Sequence, residues 1–144
     1  MQVPPLNDKD LKDLQSKPVV AKIATASRKG EIRITPIWFG DEDGSLLMST
    51  FENSGVVKNL KRDPKCSVLI DSLEWPYIGV HYWGRATVEG PENDAAAIGR
   101  LFAKYFNGDA RAATEYGSKL IGWGKRVFVR FRPERKTTWD FREG

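Results

Sequence analysis

Apolar residues in this chain fall mostly into short alternating runs, the signature of strands. Val19 to Ser27, VVAKIATAS, is rich in β-branched residues and stops at RKGE, a hairpin-turn sequence. EIRITPIWFG then alternates, with Ile32 and Ile34 opposite Arg33 and Thr35. Pro36 has no N–H to give to a ladder, which places it at a sheet edge or a bulge. After the turn GDEDG, Ser45 to Thr50 reads as a third strand. Three strands this close together predict an antiparallel meander and leave no room for crossover helices, which argues against a doubly wound parallel sheet.

Helical signals punctuate the strands. Asn7 caps a first helix, with Asp8 and Asp10 in its first turn and Leu11 and Leu14 on one face. Ser54 caps a second from Gly55 to Arg62, which Asp63-Pro64 must end, because a residue before proline is pushed out of the α region. KCSVLIDS is a short apolar strand, and PYIGVHYWGRATVEG a long one with Gly79 and Gly84 as candidate bulges or close-approach points. Asn93 is expected to cap DAAAIGRLFAKYF, and ARAATEYGSKLIG reads as a fourth helix interrupted by Gly117. RVFVRFRP alternates strictly, and KTTWDF is expected to pair with it. The sum is a mainly β protein, a small antiparallel barrel of six or seven strands with peripheral helices.

Composition narrows the function more than the fold. The 144 residues suit one domain spanning 1–144, and five Trp, seven Phe and four Tyr can fill its core. A net charge of +4 leans toward anionic partners without choosing among them. Cys66 is the sole cysteine, so no internal disulfide can form, and the N-terminus lacks the basic and apolar regions of a signal peptide. No apolar run reaches the length of a membrane span. A soluble, cytoplasmic protein is expected. With His81 as the only histidine, a Ser-His-Asp group would have to use it, and no zinc set assembles without carboxylates. If the chain is an enzyme, a cofactor carries the hard chemistry.

The stretch LLMSTFENSGVVKNL is where such a cofactor could sit. Ser49 and Thr50 end a strand with hydroxyls, and Gly55, Val56 and Val57 open a helix whose first N–H groups lack intrahelical partners. Those groups and the helix dipole favour a phosphate, with Lys58 one turn in. The alternative from the same residues is a plain corner: Lys58, Lys61 and Arg62 form a solvated stripe while Val57 and Leu60 pack inward.

TPIWF, a Gly-containing turn, LLMST, a short loop, KNLKRDP, an apolar strand and YIGVHYWGRATVEG follow one another in an order that resembles the pyridoxamine 5′-phosphate oxidase-like split barrels, in particular their flavin- and deazaflavin-dependent oxidoreductases. The resemblance runs from about Val19 to Gly90, and VFVRFRPERKTTWDF suits the family's last strands. It implies a six-stranded antiparallel split β-barrel that forms a homodimer, with cofactors between the subunits and a small-molecule substrate. Arg33, Thr35, Pro36 and Ile37 would run along the cofactor ring. Ser49, Thr50, Ser54, Lys58 and Asn59 would approach its phosphate, and Tyr77 and His81 would lie near the interface. The family's usual Arg-Lys pair falls on Gly55-Val56, so the grip must come from helix N–H groups, hydroxyls, Lys58 and Arg33. FMN is the first expectation, since its single phosphate asks least of such a site; coenzyme F420 is the alternative. A non-catalytic flavin or haem binder is the second class of reading. A nucleic-acid-binding barrel is the third, prompted by Lys125, Arg126, Arg130, Arg132, Arg135 and Lys136 but lacking an RNP-like aromatic motif.

Overall fold

Ile37 and Phe39 are separated by one residue, yet they lie on opposite edges of one sheet. In a computed structural model describing residues 3–142, chain order is α1 (Asp8–Ser16), β1 (Ala21–Ala26), β2 (Ile32–Ile37), β3 (Phe39–Glu42), β4 (Ser45–Phe51), α2 (Gly55–Arg62), β5 (Lys65–Asp71), β6 (Ile78–Glu89), α3 (Ala95–Phe102), a 3₁₀ turn (Ala103–Phe106), α4 (Ala110–Trp123) and β7 (Arg126–Asp140). The strands form one sheet in the order β2-β1-β5-β6-β7-β4-β3, antiparallel at every pair. Since Trp38 alone joins β2 to β3, the two edges are held within about 7 Å at that point, and the sheet must curl. Among the described residues β2 and β4 meet without ladder pairing, so the curl is a barrel with a seam, a split barrel.

Several expectations change here. There are seven strands rather than the six that the resemblance implies: EIRITPIWFG breaks at Trp38 into β2 and β3, while RVFVRFRP and KTTWDF merge into one. The predicted meander is instead two hairpins, β1–β2 and β3–β4, at opposite ends of the sheet. KTTWDF does not fold back on RVFVRFRP either: both belong to β7, and both pair with β6. Pro133 is tolerated inside β7 because it faces Gly84 at a register shift, where a ladder hydrogen bond is already missing. The bulge lies in β7, where Glu134 is the unpaired residue opposite the Trp83–Gly84 step. Gly84 and Gly79 are close-approach points, where a Cβ would collide with Arg132 O and stand 2.5 Å from the Trp139 ring, respectively.

Inside the curl, Ile23, Met48, Val68, Val80, Val129 and Phe131 are fully buried, with Leu11 and Leu14 of α1 and Val56 and Leu60 of α2 packed among them. Each such side chain is worth about 1.5–3 kcal/mol of transfer free energy. A second cluster lies outside the curl, where Ile98, Phe102, Ala113 and Leu120 of α3 and α4 pack with Trp38, Phe51 and Phe128. Gly117 serves this packing: a Cβ there would stand 3.0 Å from the Ala95 carbonyl, so its absence lets α4 lie close on α3. Asp94, not Asn93, caps α3, accepting from Ala96 and Ala97 N–H; the Asn93 side-chain oxygen instead accepts from Arg126 N–H (3.2 Å).

Trp38 is fixed at the crossover. It stacks on Tyr105 (4.2 Å between centroids, 4° between planes) and meets Phe102 edge-on at 5.1 Å. The Tyr105 hydroxyl donates to Val19 O (2.8 Å) and accepts from Phe39 N–H (3.1 Å), tying both sides of the seam to the 3₁₀ turn.

Candidate functional site

Register decides which side chains face the seam. Thr25, Ile23 and Ala21 of β1 point into the curl, and they pair with Arg33, Thr35 and Ile37, so these three share the inner side of β2. Ile32, Ile34 and Pro36 take the outer side, where the two isoleucines are 67% and 69% exposed. An edge strand that hides Thr35 and exposes isoleucines is built to meet something on both faces.

Arg33 crosses to the start of α2. A Cβ on Gly55 would lie 2.5 Å from Arg33 Nε and 2.6 Å from Cζ, so the guanidinium rests on the bare glycine. A cation from β2 thus stands at the start of α2, beside Gly55. Ser54 Oγ accepts from Val57 N–H (3.3 Å), while the Gly55 and Val56 N–H groups have no protein partner among the described residues. Lys58 is exposed and Val56, Val57 and Leu60 are buried, so the helix has both a solvated stripe and a buried face. Asn59 points back to β1, donating to Thr25 Oγ1 (3.0 Å).

Thr35 Oγ1 is the one buried side-chain polar atom without a hydrogen-bond partner among the described residues. Such a group costs about 1–3 kcal/mol unless something external satisfies it. Beyond it, Pro36, Ile37, Ser49 and Thr50 line a cleft of about 380 Å³ with Val20, Trp38, Phe51, Phe102, Tyr116, Leu120 and Arg126. Arg126 is 4% exposed and donates from Nε to Ser49 Oγ (3.1 Å), with its guanidinium 4.6 Å over the Phe51 ring. Burial pulls its pKa down, opposed by the Tyr116 phenol nearby. Sequence reasoning missed this residue as a site component. Its signal was the alternation that puts it beside Phe128 and Arg130, on the face that α4 covers.

Nine of the eleven predicted site residues thus surround one seam: Arg33, Thr35, Pro36, Ile37, Ser49, Thr50, Ser54, Lys58 and Asn59. Tyr77 and His81 do not join them within one chain. His81 lies on the outer face of β6, its ring 3.8 Å from that of Trp83, which Arg135 covers from 4.1 Å. From Pro36 the row runs through Lys22 and Leu69 to His81, three strand spacings or about 14 Å away.

Other reactive groups are quiet. Burial, helped by Asp63, pushes the Cys66 thiol up to about 12, so it is no ready nucleophile. Among the described residues no group of three or more His, Cys, Asp or Glu could hold a metal ion, and no helix is long and apolar enough to cross a membrane. The basic residues of β7 are dispersed: Arg130 is paired with Glu42 and Glu89, Lys136 with Asp8, and Arg126 is buried. They do not form the continuous cationic strip that a nucleic-acid backbone wants.

The architecture is that of the split barrels. A family model for pyridoxamine 5′-phosphate oxidase matches residues 8–140, and the chain belongs to this family. Among solved structures, the conserved hypothetical protein Rv2991 from Mycobacterium tuberculosis is 23% identical, with 97% of this chain and 88% of that one covered and a TM-score of 0.78. A protein described as an F420 reductase is 16% identical over 87% of this chain and 94% of that one, TM-score 0.59. An FAD-binding protein from Mesorhizobium loti is 16% identical over 96% of each chain, TM-score 0.65. These likenesses show the fold. No curated protein matches the chain.

Proposed function

We propose that this chain is a homodimeric oxidoreductase that binds FMN, or in the alternative F420, in the seam between β2 and β4 and acts on a small organic substrate. The observation that carries the reading is Arg33 resting on Gly55 at the open start of α2, beside two unpartnered N–H groups. The seam residues suit such a group: a cation and helix N–H donors at one end, the orphaned Thr35 hydroxyl partway along, and Ile37 beyond it at the mouth of the cleft. A bound flavin or deazaflavin supplies hydride transfer. The protein's part is to bind and orient. Arg33, Lys58 and the α2 N-terminus neutralise a phosphate, Thr35 gives one directional hydrogen bond, and Ile37 and Trp38 shape the pocket and keep water from it. FMN stands first because two cations at one end balance a single phosphate. The relatives described as an F420 reductase and an FAD-binding protein support a flavin-type ligand without choosing between the two.

Dimerisation is supported by the outer face of the sheet. Exposed Ile32 and Ile34, 67% and 69% accessible, share the outer face with Ala24, Ser67, Leu69 and Trp83. In the dimer this face is the interface, and it is there that Tyr77 and His81 come near a seam. A flavin or haem holder without turnover is the second reading.

Titration of purified protein with FMN and with F420, followed by absorbance and by reduction of added acceptors, is the test. Binding of either at micromolar concentration, weakened by Arg33→Met and Lys58→Ala, is expected. No binding of either refutes the reading, and binding without redox turnover transfers support to the holder.

A further inference from the structure

Besides Arg33 and Lys58, the seam has a third cation that the cofactor grip does not need. Arg33 and Ile37 are four residues apart on β2, so the Arg33 end and the cleft end are separated by about 13 Å. At the cleft end stands Arg126, more than nine-tenths buried. Among the described residues it forms no ion pair, and apart from Nε to Ser49 Oγ its guanidinium makes no hydrogen bond. Every other arginine buried as deeply would ordinarily be paired, since a desolvated guanidinium without an anion is unfavourable and the group stays charged at neutral pH. The Phe51 ring face, 4.6 Å away, gives the guanidinium a cation–π contact but no anion.

The walls say what kind of anion would fit. Trp38, Phe51, Phe102 and Tyr116 line the cleft with Ile37 and Leu120, and its volume of about 380 Å³ is that of a small aromatic molecule's site. The Ser49 hydroxyl holds Nε, which leaves both Nη nitrogens, the fork that matches a carboxylate or phosphate oxygen pair.

We propose that this cleft under α4 is an anion-recognition site in which Arg126 grips the carboxylate of an aromatic substrate, with Ser49 as its positioning residue. Its role as the substrate end of the seam rests on the oxidoreductase reading above; its binding of an anion does not. The shared chemistry is an oxyanion, which a substrate or a phosphorylated cofactor tail could bring.

The test titrates purified protein with benzoate and with its neutral isostere benzamide, read by calorimetry and by quenching of tryptophan fluorescence. FMN and F420 are titrated in parallel, and all four titrations are repeated on Arg126→Met and Arg126→Lys. Wild type should bind benzoate and not benzamide. Both variants should weaken benzoate by about 10- to 100-fold, as expected for loss of a charge-assisted pair, and leave cofactor affinity unchanged. Ser49→Ala should weaken benzoate less, and Arg126→Met should then make Ser49→Ala silent. Equal binding of benzoate and benzamide by wild type overturns the proposal without any variant having to fold. So does benzoate binding that survives Arg126→Met. If Arg126→Met weakens FMN or F420 as much as benzoate, the anion is the cofactor's own and the substrate assignment is overturned. Benzoate binding that needs Arg126, in a protein that binds neither cofactor, sustains the anion site and refutes the oxidoreductase reading separately.

Discussion

Gly55→Ala sets stability and ligand affinity against each other, which makes it a sharp probe of the α2 end of the seam. The new Cβ would lie 2.5 Å from Arg33 Nε, 2.6 Å from Cζ and 2.8 Å from Nη2. Ordinary carbon contacts begin near 3.5 Å, so the guanidinium must retreat by roughly 1 Å. Only the tip of a flexible, exposed side chain moves, and the first turn of a helix prefers alanine to glycine, by up to about 1 kcal/mol. The melting temperature should hold or rise. Affinity should fall, because a charge-assisted hydrogen bond worth about 1.5–3 kcal/mol loses its geometry; a tenfold weaker Kd for FMN or F420 is the scale expected. Fluorescence titration beside a thermal melt measures both. In an Arg33→Met background, Gly55→Ala should change affinity no further. If Gly55→Ala leaves affinity intact in a folded protein, or weakens it equally without Arg33, the cation on Gly55 is not part of the grip.

Other outcomes follow from the same geometry. Ile34→Asp should leave a folded protomer, since Ile34 is an exposed outer-face residue, but size-exclusion chromatography with light scattering should show monomers and cofactor binding should be lost with them. Phe131→Ala removes a fully buried ring and should cost about 3–5 kcal/mol in urea unfolding. Native Cys66, with its thiol pushed up to about 12, should react with an aromatic disulfide reagent at pH 8 roughly 100-fold or more slowly than in urea. Burial lowers Lys104 to about 8 from its ordinary 10.5, with Asp41 opposing. Between those values the unfolded chain binds a proton the folded one does not, so this lysine makes stability rise with pH across that window, its penalty full below pH 8. The difference in urea midpoint between wild type and Lys104→Met, taken at pH 8, 9 and 10, should shrink in that order.

Local signals were legible in the sequence, and partner choice was not. Ser54 and Pro64 bracket α2 through capping and steric exclusion, both short-range effects, and the helix runs from Gly55 to Arg62 as they require. Nothing local marks Trp38 as the point where a strand changes edges, because Ile37, Trp38 and Phe39 read as one unbroken apolar run. Pro133 read as the end of a strand, since its opposition to Gly84 depends on the register of β6, set some fifty residues earlier. The seam was legible as spacing, through Thr35, Ser49, Thr50, Ser54 and Lys58. Arg33 is legible in the sequence as a candidate; that its guanidinium lies on Gly55, and that Arg126 is buried, are facts of packing between elements distant in sequence. The alternating β7 pattern assigns Arg126 a face; only α4 folding over that face makes it an interior cation.

The strand order also dictates when this barrel can exist. The β3–β4 hairpin is joined to the other strands of the sheet through β7 alone, and β7 begins about 75 residues after β4 ends. On the ribosome, the hairpin therefore waits, tethered at Trp38 to the far edge, until Arg126–Asp140 emerges to sit between β4 and β6. Both walls of the seam are made by Phe51, and their alignment is completed only by that much later strand. A nascent chain halted short of β7 carries the phosphate-facing sequence in full and has no groove in which to use it.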